Sequence, residues 1–173
     1  MTDALRALIR DVPDYPRPGI MFKDITPLLG DPRSFRAACE AMAASFRSDR
    51  ITHVAAIESR GFLFGAPIAL SLNAAVVPIR KRGKLPYHAE FEEYQLEYGT
   101  DALEMHVDAL PAGSRVLIVD DVLATGGTAA AACRLVERLQ GDVVGCSFLI
   151  RLTFLNGLEK LAERKVSSII TYD

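Results

Sequence analysis

The stretch Val116–Thr128, VLIVDDVLATGGT, constrains this chain more than any other. Four consecutive large aliphatic residues, Val116 to Val119, read as a fully buried strand of a parallel sheet. Asp120 and Asp121 then stand at its carboxyl end, where open α/β sheets place their ligands. Two adjacent like charges cost stability unless a partner or water takes them up. The pattern therefore predicts a bound group at this strand end.

Ala124, Thr125, Gly126, Gly127 and Thr128 offer consecutive backbone N–H groups with little side-chain bulk. Gly126 and Gly127 permit positive φ, so the amides can form a concave nest. The residues that follow, AAAACRLVERLQG, are helical, with Leu135, Val136 and Leu139 on one face and Gly141 closing the helix. The loop thus opens onto a helix N-terminus, which favours an anion such as phosphate. Carboxylates beside it suit vicinal sugar hydroxyls. The combination predicts a ribose 5-phosphate site; the bland alternative is a plain strand–loop–helix turn with an Asp cap. No Lys follows Gly127 and no G-x-G-x-x-G occurs, so neither a P-loop nor a dinucleotide fingerprint is present.

Length and composition narrow the class. A chain of 173 residues is sized for a single α/β domain with a substantial core. A net charge of −2 provides no global field to recruit nucleic acid or an anionic membrane. Cys39, Cys133 and Cys146 are odd in number and lack C-x-x-C spacing, which fits small core residues in a reducing cytoplasm. His53, His88 and His106 lack metal-ligand spacing. The uncharged run Gly61–Ile79 is interrupted by Pro67, Ser71, Asn73 and Pro78, so it splits into a helix and a buried strand rather than a membrane span. Asp3 and the lack of a long apolar run argue against a signal peptide.

Along the chain, residues 2–11 read as a short amphipathic helix and Pro13–Gly19 as an irregular segment. Asp31 and Pro32 start a helix through about Phe46. His53–Ile57 is a strand, FLFGAPIALSL a helix and AAVVPIR a strand. Alternation of Tyr94, Leu96 and Tyr98, then Leu103, Met105 and Val107, predicts a hairpin about Gly99-Thr100. After the Val116 strand and its helix come a strand at DVVGCSFLI, a helix near 155–164 and a strand at Val166–Tyr172. Strands alternating with helices specify an α/β fold with a mainly parallel sheet.

Other segments carry candidate chemistry. In ESRGF, Glu58–Phe62, Ser59 and Gly61 form a tight loop whose amides can cup a second anion, and Arg60 adds a fork of donors. RKRGKLP, Arg80–Pro86, packs four cations into five residues, and Gly83 lets them bend toward the same sheet edge. Two further phosphate-directed segments imply a diphosphate besides the 5-phosphate. Gln95 and Glu97 point to the hairpin face opposite Tyr94, Leu96 and Tyr98, where Glu97 also reads as a plain exposed strand residue. Phe22, in GIMFKD, is a wall for a flat heterocycle or an ordinary core residue.

Together YPRPGIMFKDITPLL, ESRGF, IRKRGKLP, LEYGTDALEMH and VDDVLATGGT resemble the type I phosphoribosyltransferases, and within them the adenine-using family, from about Val12 to the C-terminus. The resemblance implies a parallel twisted sheet flanked by helices, a β-hairpin flap and a small N-terminal hood of about residues 1–33 on one domain of residues 1–173. It implies conversion of adenine and 5-phosphoribosyl 1-pyrophosphate (PRPP) to AMP and pyrophosphate in purine salvage. It assigns the ribose hydroxyls to Asp120 and Asp121 and the 5-phosphate to Ala124, Thr125, Gly126, Gly127 and Thr128. It gives pyrophosphate to Ser59, Arg60 and Lys84, the base edge to backbone groups around Met21 and Lys23, and the base faces to Phe22 and Val122. Glu97 would handle the proton on the purine imidazole ring. Mg²⁺ would arrive mainly on the pyrophosphate, with no dedicated protein metal cage, and the enzyme would be a cytoplasmic homodimer without nucleic-acid or membrane partners. The stretch YHAEFEE departs from the family, which has Thr or Ser there. Rival readings are another base, or a non-catalytic PRPP-sensing regulator on the same fold.

Overall fold

In the computed structural model, which describes residues 2–96 and 99–173, helices and strands alternate along the chain. A short helix α1 (Thr2–Arg6) precedes an antiparallel ribbon of β1 (Arg10–Pro13) and β2 (Met21–Asp24), then helices α2 (Thr26–Gly30) and α3 (Pro32–Ala44). Next come β3 (His53–Ile57), α4 (Gly61–Leu72), β4 (Ala75–Lys81) and the hairpin of β5 (Ala89–Leu96) and β6 (Gly99–His106). The chain closes with β7 (Arg115–Leu123), α5 (Gly127–Arg138), β8 (Asp142–Leu152), two 3-10 turns and β9 (Val166–Tyr172). Among the described residues the main sheet has the order β5-β6-β4-β3-β7-β8-β9. Strands β4, β3, β7, β8 and β9 run parallel, and the hairpin joins antiparallel through β6.

The continuous apolar run of β7 has a direct cause. Val116 and Ile118 pack with α5 and Phe148 on one face of the sheet, while Leu117 and Val119 pack with α3 and α4 on the other. All four are fully buried, so no position in the run could be polar. Asp31 caps α3 as expected, accepting from Ser34 N at 2.7 Å, and the helix ends at Ala44, two residues before the expected Phe46.

Four expectations need correction. The amino-terminal helix stops at Arg6, because Arg10–Pro13 is taken by pairing with Met21–Asp24. The hairpin does not turn at Gly99-Thr100: Leu96 pairs with Gly99 and Gln95 with Thr100, which puts both residues inside β6. The helix near 155–164 is two 3-10 turns, Thr153–Leu155 and Gly157–Leu161, divided by Asn156 in the left-handed region (φ 52°). After α5, the left-handed residue is Gln140 (φ 62°) rather than Gly141, whose added Cβ would meet Val136 Cγ1 at 2.7 Å. No helix among the described residues is long and apolar enough to cross a membrane.

Candidate active site

The carboxyl ends of β3 and β7, the loop after β8 and the β1–β2 ribbon enclose a cavity of about 460 Å³. Ile20, Met21, Phe22 and Lys23 form one wall, Glu58, Ser59, Arg60 and Lys81 another, and Asp120, Asp121, Val122, Ala124 and Thr128 the floor. A smaller cup of about 60 Å³ adjoins it, bounded by Asp120, Val122–Gly126, Thr128 and Ala129.

Asp121 is buried, and its N–H donates to Asp120 Oδ1 at 2.9 Å. Arg60 Nε stands 2.9 Å from Asp121 Oδ2, but no N–H is aimed well enough to satisfy that oxygen, which keeps its acceptor capacity. Desolvation pushes the Asp120 carboxyl well above the usual carboxylate range, and the Asp121 charge adds to this. Asp121 is also raised by burial, against the pull of Arg60. This pair is held at a cost that hydroxyl donors or a cation would relieve.

The cup owes its shape to glycines. Gly126 sits at φ 77°, and a Cβ there would lie 2.3 Å from the Gly157 carbonyl oxygen. In return, a Cβ on Gly157 would lie 2.1 Å from the Ala124 carbonyl oxygen. The two segments therefore touch backbone to backbone, and α5 begins immediately afterwards with Ala130 N donating to Gly126 O at 2.9 Å. Of the two adjacent glycines only Gly126 uses positive φ. Gly127 instead faces the hairpin: its Cβ would meet Gln95 O at 3.2 Å and Tyr94 Cδ2 at 3.5 Å, away from the cup.

Gly61 brings the second loop close, since a Cβ there would stand 2.9 Å from Val119 O and 3.0 Å from Asp120 Oδ1. The Glu58–Ser59 peptide is cis. The Arg60 guanidinium lies 5.0 Å from the Phe22 ring centroid, linking the acid pair to the aromatic wall. Phe22 packs edge-on against Tyr15 at 5.1 Å. The Lys23 ammonium turns away, to Asp11 Oδ1 at 2.6 Å and over the Tyr172 ring at 3.9 Å.

Glu58 gathers the basic segment. It accepts from Lys84 Nζ at 2.5 Å, Lys81 N at 3.0 Å and Arg80 Nε at 3.2 Å. Burial would raise its carboxyl, but these three donors together hold it below its ordinary value of 4.5. Lys81 in turn bonds Tyr94 Oη at 2.7 Å and pairs with Asp101.

The structure thus brings together Met21, Phe22, Lys23, Ser59, Arg60, Asp120, Asp121, Val122, Ala124 and Thr128 around one cavity, with Thr125 and Gly126 in the adjoining cup. Lys84 reaches its edge through Glu58. The Cβ position of Gly127 faces the hairpin. Glu97 lies outside the described residues; its neighbours obey the expected alternation, with Tyr94 buried and Gln95 exposed. Sequence reasoning gave no role to Glu58 or Gly157, and Lys81 entered only as one member of the Arg80–Pro86 cation cluster. Glu58 and Gly61 stood in the quoted ESRGF, while Gly157 is brought to the cup only by the tertiary path of the loop after β8. Among the described residues, no three His, Cys, Asp or Glu side chains are grouped to hold a metal ion.

The chain matches the phosphoribosyl transferase domain family over residues 27–172. It is 57% identical to the adenine phosphoribosyltransferase of Myxococcus xanthus (strain DK1622) over 97% of this chain and 91% of that protein. It is 55% identical to that of Anaeromyxobacter dehalogenans (strain 2CP-C) over 99% and 100% of the two chains. The solved adenine phosphoribosyltransferase of Rhodothermus marinus superposes with a TM-score of 0.95 at 55% identity, covering 99% of this chain and 98% of that one. The enzyme of Saccharomyces cerevisiae, solved with an imino-altritol bisphosphate and adenine, gives 0.91 at 39% identity over 97% of each chain. The chain therefore belongs to the phosphoribosyl transferase family, among its adenine phosphoribosyltransferases.

Proposed function

We propose that this chain transfers the 5-phosphoribosyl group of PRPP to adenine, releasing AMP and pyrophosphate in purine salvage. The observation that carries the reading is the single cavity in which an acid pair, an amide cup, an aromatic wall and a cationic loop converge. The 5-phosphate sits in the Ala124–Thr128 cup at the start of α5, held by backbone N–H groups and the helix dipole. The ribose hydroxyls donate to Asp120 and Asp121, replacing the solvation these carboxylates lack in the free protein.

Arg60, released from Asp121 Oδ2, joins the Ser59 loop and Lys84 on pyrophosphate. The C1′–O bond breaks with its electron pair leaving on pyrophosphate, while purine N9 supplies the pair for the new C1′–N bond. Arg60 and Lys84 offset the charge that gathers on the leaving group. Glu97 takes the proton released from the imidazole ring. Adenine lies between Phe22 and Val122, with backbone groups at Met21 and Lys23 reading its edge: a carbonyl accepts from the 6-amino group and an N–H donates to N1. The acid pair's hard oxygens, and the unfilled acceptor of Asp121 Oδ2, fit a divalent cation carried on the substrate. Mg²⁺ bound mainly through pyrophosphate would further neutralise the leaving group.

A homodimer is supported by apolar residues left exposed on one layer of the fold. Leu63, Ala66 and Leu70 recur at helical spacing on α4, with Leu70 83% exposed, and Val76 and Pro78 follow at strand spacing on β4. Three free buried thiols, Cys39, Cys133 and Cys146, support a reducing cytoplasm. The test is AMP formation from adenine, PRPP and Mg²⁺, followed chromatographically with wild type beside Asp121→Asn. AMP appearance that the variant abolishes supports the reading, and no AMP from wild type overturns it.

A further inference from the structure

Glu104 is a carboxylate that the reaction above does not use, yet it is 7% exposed in the middle of β6. Its neighbours Leu103 and Met105 pack into the apolar core, so Glu104 projects to the other side of the strand. There it meets three successive backbone amides of the loop after β4. Gly83 N donates to Oε2 at 3.0 Å, and Lys84 N and Leu85 N donate to Oε1 at 2.8 and 2.6 Å. Convergent consecutive amides form a nest of the kind that binds free anions. Here the chain fills its own nest. The same loop is held from the opposite side, where Arg80 Nη1 donates to the Lys84 carbonyl oxygen at 3.2 Å.

Apart from these bonds the loop is held by Arg82 N donating to Ala102 O at 3.1 Å and by the Lys84 ammonium on Glu58. Gly83 takes φ 85° with no atom within 4 Å of where a Cβ would stand, so no side chain packs on that side of the loop. Through the Glu104 and Arg80 bonds the Lys84 backbone is tied at both its N–H and its C=O, and its ammonium reaches Glu58 Oε1 at the cavity wall. Burial would raise the Glu104 carboxyl, but the three amides hold it below its ordinary value of 4.5, which keeps the charge that organises the loop.

We propose that Glu104 is a positioning residue: by filling the amide nest of residues 83–85 it sets the Lys84 ammonium at the cavity wall for pyrophosphate. The proposal rests on the reading of Lys84 as a pyrophosphate ligand. Glu104→Gln removes the charge and turns an NH₂ donor toward one or more backbone donors, so at least one amide loses its partner. The loop would then sample other paths while the acid pair and the cup stay intact.

The experiment is calorimetric affinity for magnesium pyrophosphate and for AMP, with wild type, Glu104→Gln, Lys84→Met and the double variant. In Glu104→Gln, pyrophosphate affinity falls about tenfold, the size of one lost charge-assisted hydrogen bond, while AMP affinity stays within about twofold of wild type. The double variant binds pyrophosphate no more weakly than Lys84→Met, because both changes act through one ammonium. Wild-type pyrophosphate affinity in Glu104→Gln, with Lys84→Met impaired, overturns the role of Glu104 and leaves that of Lys84 standing. Wild-type affinity in Lys84→Met overturns the pyrophosphate reading itself, and equal loss of AMP and pyrophosphate reduces Glu104 to general structure. Should the Gln variant not fold, Glu104→Asp carries the same test. It keeps the charge but is one methylene too short to meet all three amides, so it must also weaken pyrophosphate selectively, and wild-type affinity there overturns the proposal.

Discussion

Replacing Gly126 with Ala separates two strains that the Ala124–Thr128 loop imposes on one residue. At φ 77° an L-residue carries about 1–2 kcal/mol of left-handed backbone cost. The new Cβ also lies 2.3 Å from the Gly157 carbonyl oxygen, and ordinary contact begins at 3.4 Å, so one loop must retreat by about 1 Å. Overpacking of this kind costs about 1–3 kcal/mol, for a total of roughly 2–5 kcal/mol. Gly113 supplies the control: its φ is 76°, yet nothing lies within 4 Å of its Cβ position. Gly113→Ala should therefore cost only the backbone share of about 1–2 kcal/mol. Urea unfolding at pH 7 measures both, and Gly126→Ala should exceed Gly113→Ala by about 1–3 kcal/mol. Calorimetry with ribose 5-phosphate should show at least about a tenfold loss in Gly126→Ala, since the amides move with the loop, and none in Gly113→Ala. Equal destabilisation of the two variants with intact ribose 5-phosphate affinity would refute the argument that close backbone contact shapes the cup.

Asp120→Asn should raise the melting temperature of the free protein while abolishing PRPP binding, because Asn still accepts from Asp121 N but no longer carries a charge that burial penalises; scanning calorimetry and ligand titration check the two halves. The pH dependence follows with opposite signs. The raised Asp120 binds more protons folded than unfolded above 3.8, so stability rises as pH falls into that window, whereas the depressed Glu58 and Glu104 lose their contribution as pH drops below 4.5. Melting temperature against pH should therefore show the first effect more strongly in wild type than in Asp120→Asn, where only the raised Asp121 remains, and the acid loss in both. Glu97→Gln should lower kcat roughly 10²- to 10⁴-fold and leave PRPP affinity unchanged; a kcat within a few-fold of wild type would remove Glu97 from the mechanism.

Much of the site was legible because its chemistry is local in sequence. The run Val116–Asp121 announces a buried strand with an acid pair toward its carboxyl end, although the strand runs on to Leu123, and Ala124–Thr128 announces a small-residue loop before a helix, since each depends on neighbours within a few residues. What stayed hidden depends on contacts across the chain. Gly157 shapes the cup from 31 positions beyond Gly126, and its closeness to Ala124 O has no trace in spacing. Gly127 was read as using positive φ, which it does not; the β5 backbone beside its Cβ position sets its smallness. The ribbon of β1 and β2 was missed because Pro13 and the prolines after it mask two very short strands that pair only with each other. Glu104 sits in a run that alternation assigns to a hairpin, and nothing local marks it as the partner of three amides some 20 residues earlier.

Choice of adenine over other bases is read by pyrophosphate release from PRPP and Mg²⁺ with adenine, hypoxanthine, guanine or orotate at equal concentration. A site whose backbone accepts from the 6-amino group and donates to N1 leaves both groups unpaired with hypoxanthine, which predicts preference for adenine by a factor of about 10⁴ or more in kcat/KM. Comparable turnover of hypoxanthine or guanine, or no release with any base, would contradict it.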